Sequence, residues 1–159
     1  MRRIAVVFVV AAAVSAGPLA GAATKPPDYG KLTVAVGKRR AAAMLGTFYH
    51  PTADGKVTSH IASYPLSPGS TVTIRSRGRV DLLLGAAASY VTWRAVRIDS
   101  EGKEKLTASG EARPAKKKSF KRWRVRLPRG LSKSTTMLGF NIHYPYAFSD
   151  FEIRAKVAR

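Results

Sequence analysis

The chain has 159 residues, enough for one ordinary domain, and its 45% of hydrophobic residues can form a buried core. Lys and Arg number 28 against 9 Asp and Glu, so the formal net charge is +19, which attracts polyanions of every kind. Cysteine is absent, and this excludes disulfide frameworks, thiol nucleophiles and Cys-ligated metal sites.

The N-terminus has the pattern of a cleavable signal peptide over residues 1–23. Arg2 and Arg3 precede an uninterrupted run of apolar and small residues over 4–16. At about 13 residues this run is too short to span a bilayer, which needs about 20. Ala20 and Ala22 satisfy the small-residue rule for cleavage. We therefore expect an exported protein, whether secreted, periplasmic or associated with the cell envelope, with no transmembrane segment in the mature chain.

A proline-containing linker is expected over 24–30, followed by one domain over 31–159. In that domain apolar and polar residues alternate, as in half-buried antiparallel strands. Pro- and Gly-rich turns separate the alternating runs. The stretch 38–45 is short for a helix and is interpreted as a strand or an irregular edge. The pattern predicts an all-β antiparallel sandwich of about seven or eight strands, and its runs lie at 32–36, 71–75, 91–98, 122–127, 140–144 and 151–156.

Part of this pattern resembles a known class of domain. Trp93 in a central strand, the stretch 123–128 and a closing hairpin over 140–157 resemble the later half of an immunoglobulin-like or fibronectin-type sandwich, as in exported bacterial proteins. The paired cysteines of antibody domains are missing. The resemblance implies the sandwich fold, and fold alone does not choose a function.

A basic segment between Arg113 and Arg129 contains no acidic residue. Alternate arginines on one strand are spaced by about 6.8 Å, and guanidinium groups bind phosphates or sulfates through two hydrogen bonds. We predict a contact with a cell-envelope polymer, an acidic polysaccharide or an anionic membrane surface, while nucleic acid is less accessible outside the cytoplasm. The alternative is a solvated face that prevents aggregation. The predicted contact residues are Lys116, Lys117, Lys118, Lys121, Arg122, Arg124 and Arg126.

Two further basic groups have similar spacing, one at 75–79 and one at 38–40. Whether they join the basic segment on one surface depends on the fold.

An aromatic cluster over 144–151 offers a second candidate contact. Tyr144, Tyr146 and Phe148 are able to stack on sugar rings or bases if they lie on an exposed loop. The alternative is a corner of the sandwich, where a tyrosine caps the core and hydrogen-bonds the backbone.

Catalytic and metal-binding signatures are missing. The sequence has no G-x-S-x-G, H-E-x-x-H or Walker-type loop, and His50, His60 and His143 lack the spacing of paired ligands. The acids of the turn regions, including Asp150 and Glu152, are expected to face solvent. We therefore predict a non-enzymatic binding or surface-associated protein without cofactor or metal.

Two alternatives stay open. One is a protein-interaction or structural module that uses an open, uncharged edge strand, for which 137–144 is the least charged candidate. The other is a hydrolase that gathers a histidine and a carboxylate from separate turns, as His143 with Asp150 or His50 with Asp54.

Overall fold

The computed structural model describes residues 27–52, 54–116 and 120–158, and every regular element in this part of the chain is a β-strand. The strands form two sheets, which confirms the all-β sandwich. The first sheet contains β1 (Leu32–Val36), β2 (Arg39–Ala42), β6 (Arg79–Leu84), β9 (Arg113–Pro114) and β10 (Arg122–Arg126). The second contains β3 (Met44–Pro51), β4 (Val57–His60), β5 (Thr71–Ile74), β7 (Tyr90–Ile98), β8 (Glu104–Glu111), β11 (Met137–Tyr144) and β12 (Ala147–Val157).

The first sheet has the order β2-β1-β6-β10-β9, and all its pairs are antiparallel. The second has the order β4-β3-β12-β11-β7-β8. Strand β12 is long enough to have two successive neighbours on one side, first β3 and then β5, which runs parallel to it. A bulge between Ser149 and Phe151 separates the two parts of the β3–β12 pairing.

The core lies between the inner faces of the two sheets. On the first sheet Val34, Leu82 and Trp123 are in one cross-strand row and are buried. On the second, Phe140 lies directly opposite both Trp93 and Phe151, and all three are buried. Residues two apart on a strand share a face, so the alternation read from the sequence places these large side chains inside.

The described residues form twelve strands rather than the seven or eight that were predicted. The strands outside the predicted runs include the short edges β2, β4 and β9 and the longer β3, β6 and β8. All four residues of β4 are exposed, and β9 has only two residues, so neither shows an alternation of apolar and polar side chains. The stretch 38–45, interpreted as strand or irregular edge, contains β2 and the start of β3.

The segment 137–144, the least charged candidate for an open edge strand, does not lie at an edge. This segment is β11, which lies in the middle of the second sheet between β12 and β7. Its low charge has a packing reason, because six of its eight residues are buried.

The predicted signal peptide lies outside the described residues. Of the predicted linker, residues 27–30 are described, and they pack on the domain. The ring of Tyr29 lies 4.8 Å from that of Tyr144, and the Tyr29 carbonyl accepts a hydrogen bond from Ser149 Oγ at 2.9 Å.

Candidate functional site

Strand β10 places three of the predicted contact residues on one face. Trp123 and Val125 are buried in the core, so the intervening Arg122, Arg124 and Arg126 point to the outer side of the first sheet. Arg122 and Arg126 are exposed and Arg124 is half-buried. The alternation that predicted a shared strand face is therefore present in the structure.

Neighbouring strands add three more arginines to this face. Arg79 on β6 lies directly opposite Arg126, and Arg113 on β9 lies directly opposite Arg124. Arg40 on β2 pairs with Ala35, which pairs with Asp81. Directly opposed residues share a face of the sheet. We call this set the arginine face, and its members are Arg40, Arg79, Arg113, Arg122, Arg124 and Arg126.

The positive charge of the arginine face is neutralised only in small part by acidic side chains. Among the strand residues that the structure describes there, Asp81 is the only acid, and its carboxylate accepts from Arg124 Nε at 2.7 Å and Nη2 at 3.4 Å. This hydrogen bond raises the pKa of Arg124. Two cross-strand pairs on this face join like charges, Arg79 with Arg126 and Arg113 with Arg124, and such pairs destabilise a sheet.

Two concave regions adjoin the arginine face. One, of about 500 Å³, is lined by Glu111, Arg113, Pro114, Arg124 and Arg126. The other, of about 520 Å³, lies at the end of the sandwich, and its lining includes Arg39, Arg75 and Arg79. The basic groups at 38–40 and 75–79 thus meet at the edge of the arginine face, a proximity that follows from strand order and not from sequence spacing.

The lysines of the predicted site are placed less completely. Lys116 is exposed in the connection after β9, and Lys121 is exposed just before β10. Lys117 and Lys118 lie outside the described residues. The arginines of the prediction are therefore brought together, and the lysines border them in sequence.

The three aromatic candidates lie in different environments in the folded protein. Tyr144 is buried, and its hydroxyl donates to the Tyr29 carbonyl at 3.5 Å, so it caps the core. Tyr146 is 80% exposed in the turn between β11 and β12. Phe148 is half-buried on the outer face of the second sheet, opposite Tyr49.

A polar network that the sequence did not reveal lies on the outer face of the second sheet. Glu152 was expected to face solvent, but its side chain has no exposed surface. Its Oε1 accepts from Arg94 Nη2 at 2.6 Å, and its Oε2 accepts from the Leu66 amide at 2.9 Å. The segment containing Leu66 crosses the sheet there, and the Tyr64 ring centroid lies 5.4 Å from the Arg94 guanidinium.

The charge balance of this network is unusual because two carboxyls share one arginine. Glu104 Oε2 lies 3.7 Å from Arg94 Nε. Burial, together with the neighbouring Glu104, raises the pKa of Glu152 from 4.5 to about 7, although the Leu66 amide and Arg94 oppose the shift. No pattern in the sequence indicates this, since Glu152 alternates with Phe151 and Ile153 as a solvent-facing residue would.

Among the described residues, no hydrogen bond or ion pair joins His50 to Asp54 or His143 to Asp150. His50 Nε2 lies 2.7 Å from Ser149 Oγ, but that hydroxyl donates its proton to the Tyr29 carbonyl. His50 therefore donates to Ser149 and does not activate it as a base. Ser149 is also fully buried, out of reach of a substrate.

The carboxylates named with these histidines have other partners. Asp54 accepts from Thr52 Oγ1 and pairs with Lys56. Asp150 accepts from Asn141 Nδ2 at 2.6 Å and from the Tyr64 hydroxyl at 3.2 Å.

Comparisons with known proteins found no matching family model, no similar curated protein and no similar solved structure. In the part of the chain that the structure describes, no helix is long and apolar enough to cross a membrane. Within the same residues, no group of three or more histidines and acids has the arrangement to hold a metal ion. Function has to be inferred from the geometry and charge of this chain.

Proposed function

We propose that the protein is an exported, non-enzymatic binding protein that holds anionic polymers on its arginine face. The observation that carries the proposal is the presence of six arginines on one sheet face with one acid among them. Solubility does not require directly opposed arginines, because charges spread over the whole surface serve it equally well. Opposed arginines lower the stability of the sheet, and their concentration on one face provides the local positive charge that binding of a polyanion requires.

The geometry of the face favours a polymer over a single small anion. Arg122, Arg124 and Arg126 repeat at about 6.8 Å along β10, and neighbouring strands lie about 4.8 Å away. Sulfate, phosphate or carboxylate groups along a chain are able to occupy several guanidinium forks together. Cell-envelope polymers, acidic polysaccharides and anionic lipid surfaces all present such groups, and nucleic acid is a less accessible ligand for an exported protein.

Export and an immunoglobulin-like arrangement of the sandwich belong to the same proposal. Export is supported by the basic, apolar and small-residue regions of 1–23. The immunoglobulin-like assignment is supported by the two antiparallel sheets and by Trp93 on an inner strand.

The test is retention on a sulfated-polysaccharide column in a rising salt gradient. A variant with Arg122, Arg124 and Arg126 changed to Gln loses three charges from the arginine face. A matched variant with Lys56, Lys105 and Lys133 changed to Gln loses three charges elsewhere. We expect the arginine variant to elute at much lower salt than the parent, and the lysine variant to elute close to the parent. Both variants lose the same net charge, but only the arginine variant loses side chains that contact the polymer.

Equal shifts for the two variants would show that retention reports net charge alone. Retention that does not respond to salt would also contradict the proposal, since charge contacts are screened by added ions.

A second candidate function, capture of a partner by strand addition, is favoured by one observation. Strand β4 is an edge of the second sheet, contains no charged residue and is exposed along its whole length. Other edges are protected by charge or proline, as in β2 and β9. If this were the function, the parent and both variants would elute together at low salt.

A further inference from the structure

Four ring-bearing side chains form a row across the outer face of the second sheet. Tyr49 on β3 lies opposite Phe148 on β12, Phe148 lies opposite His143 on β11, and His143 lies opposite Tyr90 on β7. Because neighbouring strands are about 4.8 Å apart, the row extends over about 14 Å. We call these four residues the ring row.

Three of the four side chains in the row are exposed, Phe148 is half-buried, and the rings are arranged in pairs. Tyr49 is 43% exposed and Tyr90 is 40% exposed, and His143 is exposed between them. The rings of Tyr49 and Phe148 are parallel to within 4°, with centroids 6.4 Å apart. Those of Tyr90 and His143 have centroids 6.0 Å apart. Cross-strand aromatic pairs of this kind stabilise a sheet, but burial rather than exposure would serve that purpose best.

A row of hydrogen-bonding side chains runs beside the ring row. Asp150, Asn141, Thr92 and Glu111 are paired in register across four strands. Three of them lie two residues along the same strand from a member of the ring row, so they share its face at a distance of about 7 Å. A concave region of about 450 Å³ adjoins the polar row, and its lining includes Thr92, Glu111, Asn141 and Arg94.

The two rows together match the chemistry of a pyranose ring. A sugar ring has a C–H face that packs on an aromatic ring and an edge of hydroxyl groups that bond to carboxylate and amide oxygens. The Glu111 carboxylate is already oriented, because it accepts from the Tyr90 hydroxyl at 2.7 Å. We propose that the ring row and the adjoining polar row bind an uncharged oligosaccharide of linked pyranose units.

Charge decides against an acidic sugar at this place. The polar row contains two carboxylates, Asp150 and Glu111, and the cation that lines the adjoining concave region, Arg94, is already paired with Glu104 and Glu152. A sulfated or carboxylated sugar is repelled there and is attracted to the arginine face on the opposite side of the sandwich. The proposal therefore concerns a second ligand, bound independently of the polyanion.

The proposal is tested by titration calorimetry of the purified protein with two probes, a β-1,4-linked N-acetylglucosamine tetramer and a β-1,4-linked glucose tetramer. We expect saturable binding of at least one tetramer. Tyr49→Ala and Tyr90→Ala should each weaken it about tenfold, because each removes one stacking ring. Phe120→Ala, an exposed aromatic change just before β10 of the first sheet, should alter the affinity less than twofold.

The effect of salt on binding distinguishes this site from the arginine face. Binding of an uncharged tetramer should be unaffected by added salt, whereas a heparin-derived tetrasaccharide should be released by it and should not compete with the uncharged probe. Amide chemical-shift mapping on the unaltered protein provides a readout that does not depend on any variant folding, and the perturbed residues should lie on β3, β7, β8, β11 and β12. Absence of binding to both tetramers, perturbations confined to other strands, or equal weakening by Phe120→Ala would each overturn the proposal.

Discussion

The outer faces of the two sheets differ in the sign and the solvent exposure of their charged side chains. On the first sheet, six arginines lie on the outer face, five exposed and Arg124 half-buried, and Asp81 is the one acid among the described strand residues there. On the second, four of the nine acids of the chain lie on the outer face, and the segment containing Leu66 covers the most buried of them, Glu152. One side of the core thus carries a largely solvated cationic surface, and the other carries a carboxyl cluster, Glu104 and Glu152 beside Arg94, that is shielded from water.

The two faces therefore differ in whether their charged side chains are available to a ligand or are already paired within the protein. The arginine face retains free guanidinium groups, since only Arg124 has a carboxylate partner among them in the described residues. Arg94 on the second sheet is engaged by two carboxyls and by the Tyr64 ring. Two arginines of nearly equal exposure, 28% for Arg94 and 30% for Arg124, therefore have different roles.

The largest effect should come from removing the arginine of the carboxyl cluster. Arg94→Met leaves Glu152 buried without its cation, and we expect a loss of about 3 kcal/mol in the free energy of unfolding, measured by denaturant titration at neutral pH. Arg124→Met is the matched control, and it should lose less than about 1 kcal/mol because Asp81 keeps contact with water. Similar losses of unfolding free energy in the two variants would mean that the Arg94 and Arg124 ion pairs contribute equally to stability.

A smaller effect should appear in the pH dependence of stability. The pKa of Glu152 is raised from 4.5 to about 7 by burial, so between these values the folded state binds more protons than the unfolded state. This group therefore contributes stability at acidic pH that is lost as the pH rises through about 7. Glu152→Gln should remove that part of the decline in denaturant titrations at a series of pH values.

Glu101→Gln provides the control for this measurement, because Glu101 is an exposed acid in a turn and should leave the decline unchanged. A decline that persists in Glu152→Gln would assign the proton to another group.

The smallest change in stability should follow from removing the acid of the arginine face. Asp81→Asn breaks a partly exposed ion pair and should cost less than about 1 kcal/mol. The same substitution frees Arg124 and raises the charge of the face, so elution from the sulfated-polysaccharide column should move to higher salt. Elution at lower salt would indicate that the Asp81–Arg124 pair positions the guanidinium for binding rather than competing with the ligand.

The burial of Glu152 does not follow from the alternation of residues along its strand. Phe151, Glu152 and Ile153 alternate in the way that predicts an outward, solvated glutamate, and Glu152 does point outward from the sheet. It is buried because a distant segment, joined to it through the Leu66 amide, lies across that face. Local periodicity contains no information on what covers a sheet.

The edge strand illustrates the same limit. Low charge over 137–144 was interpreted as an open edge, but a strand buried on both faces in the middle of a sheet is equally poor in charge. The fully exposed edge β4 has no alternation and was not predicted at all.

Alternation of apolar and polar residues was sufficient to predict the all-β sandwich, the inward position of Trp93, Trp123 and Phe151, and the shared face of Arg122, Arg124 and Arg126. These features depend on which side of its own strand a residue lies, and a period of two specifies that locally. The tertiary structure decided which strands are neighbours and in what register. It therefore decided that Arg40, Arg79 and Arg113 join the arginine face, and that Tyr49, Phe148, His143 and Tyr90 form one row. Register between distant segments is set by how the whole core packs, and for that reason no single stretch of the sequence contains it.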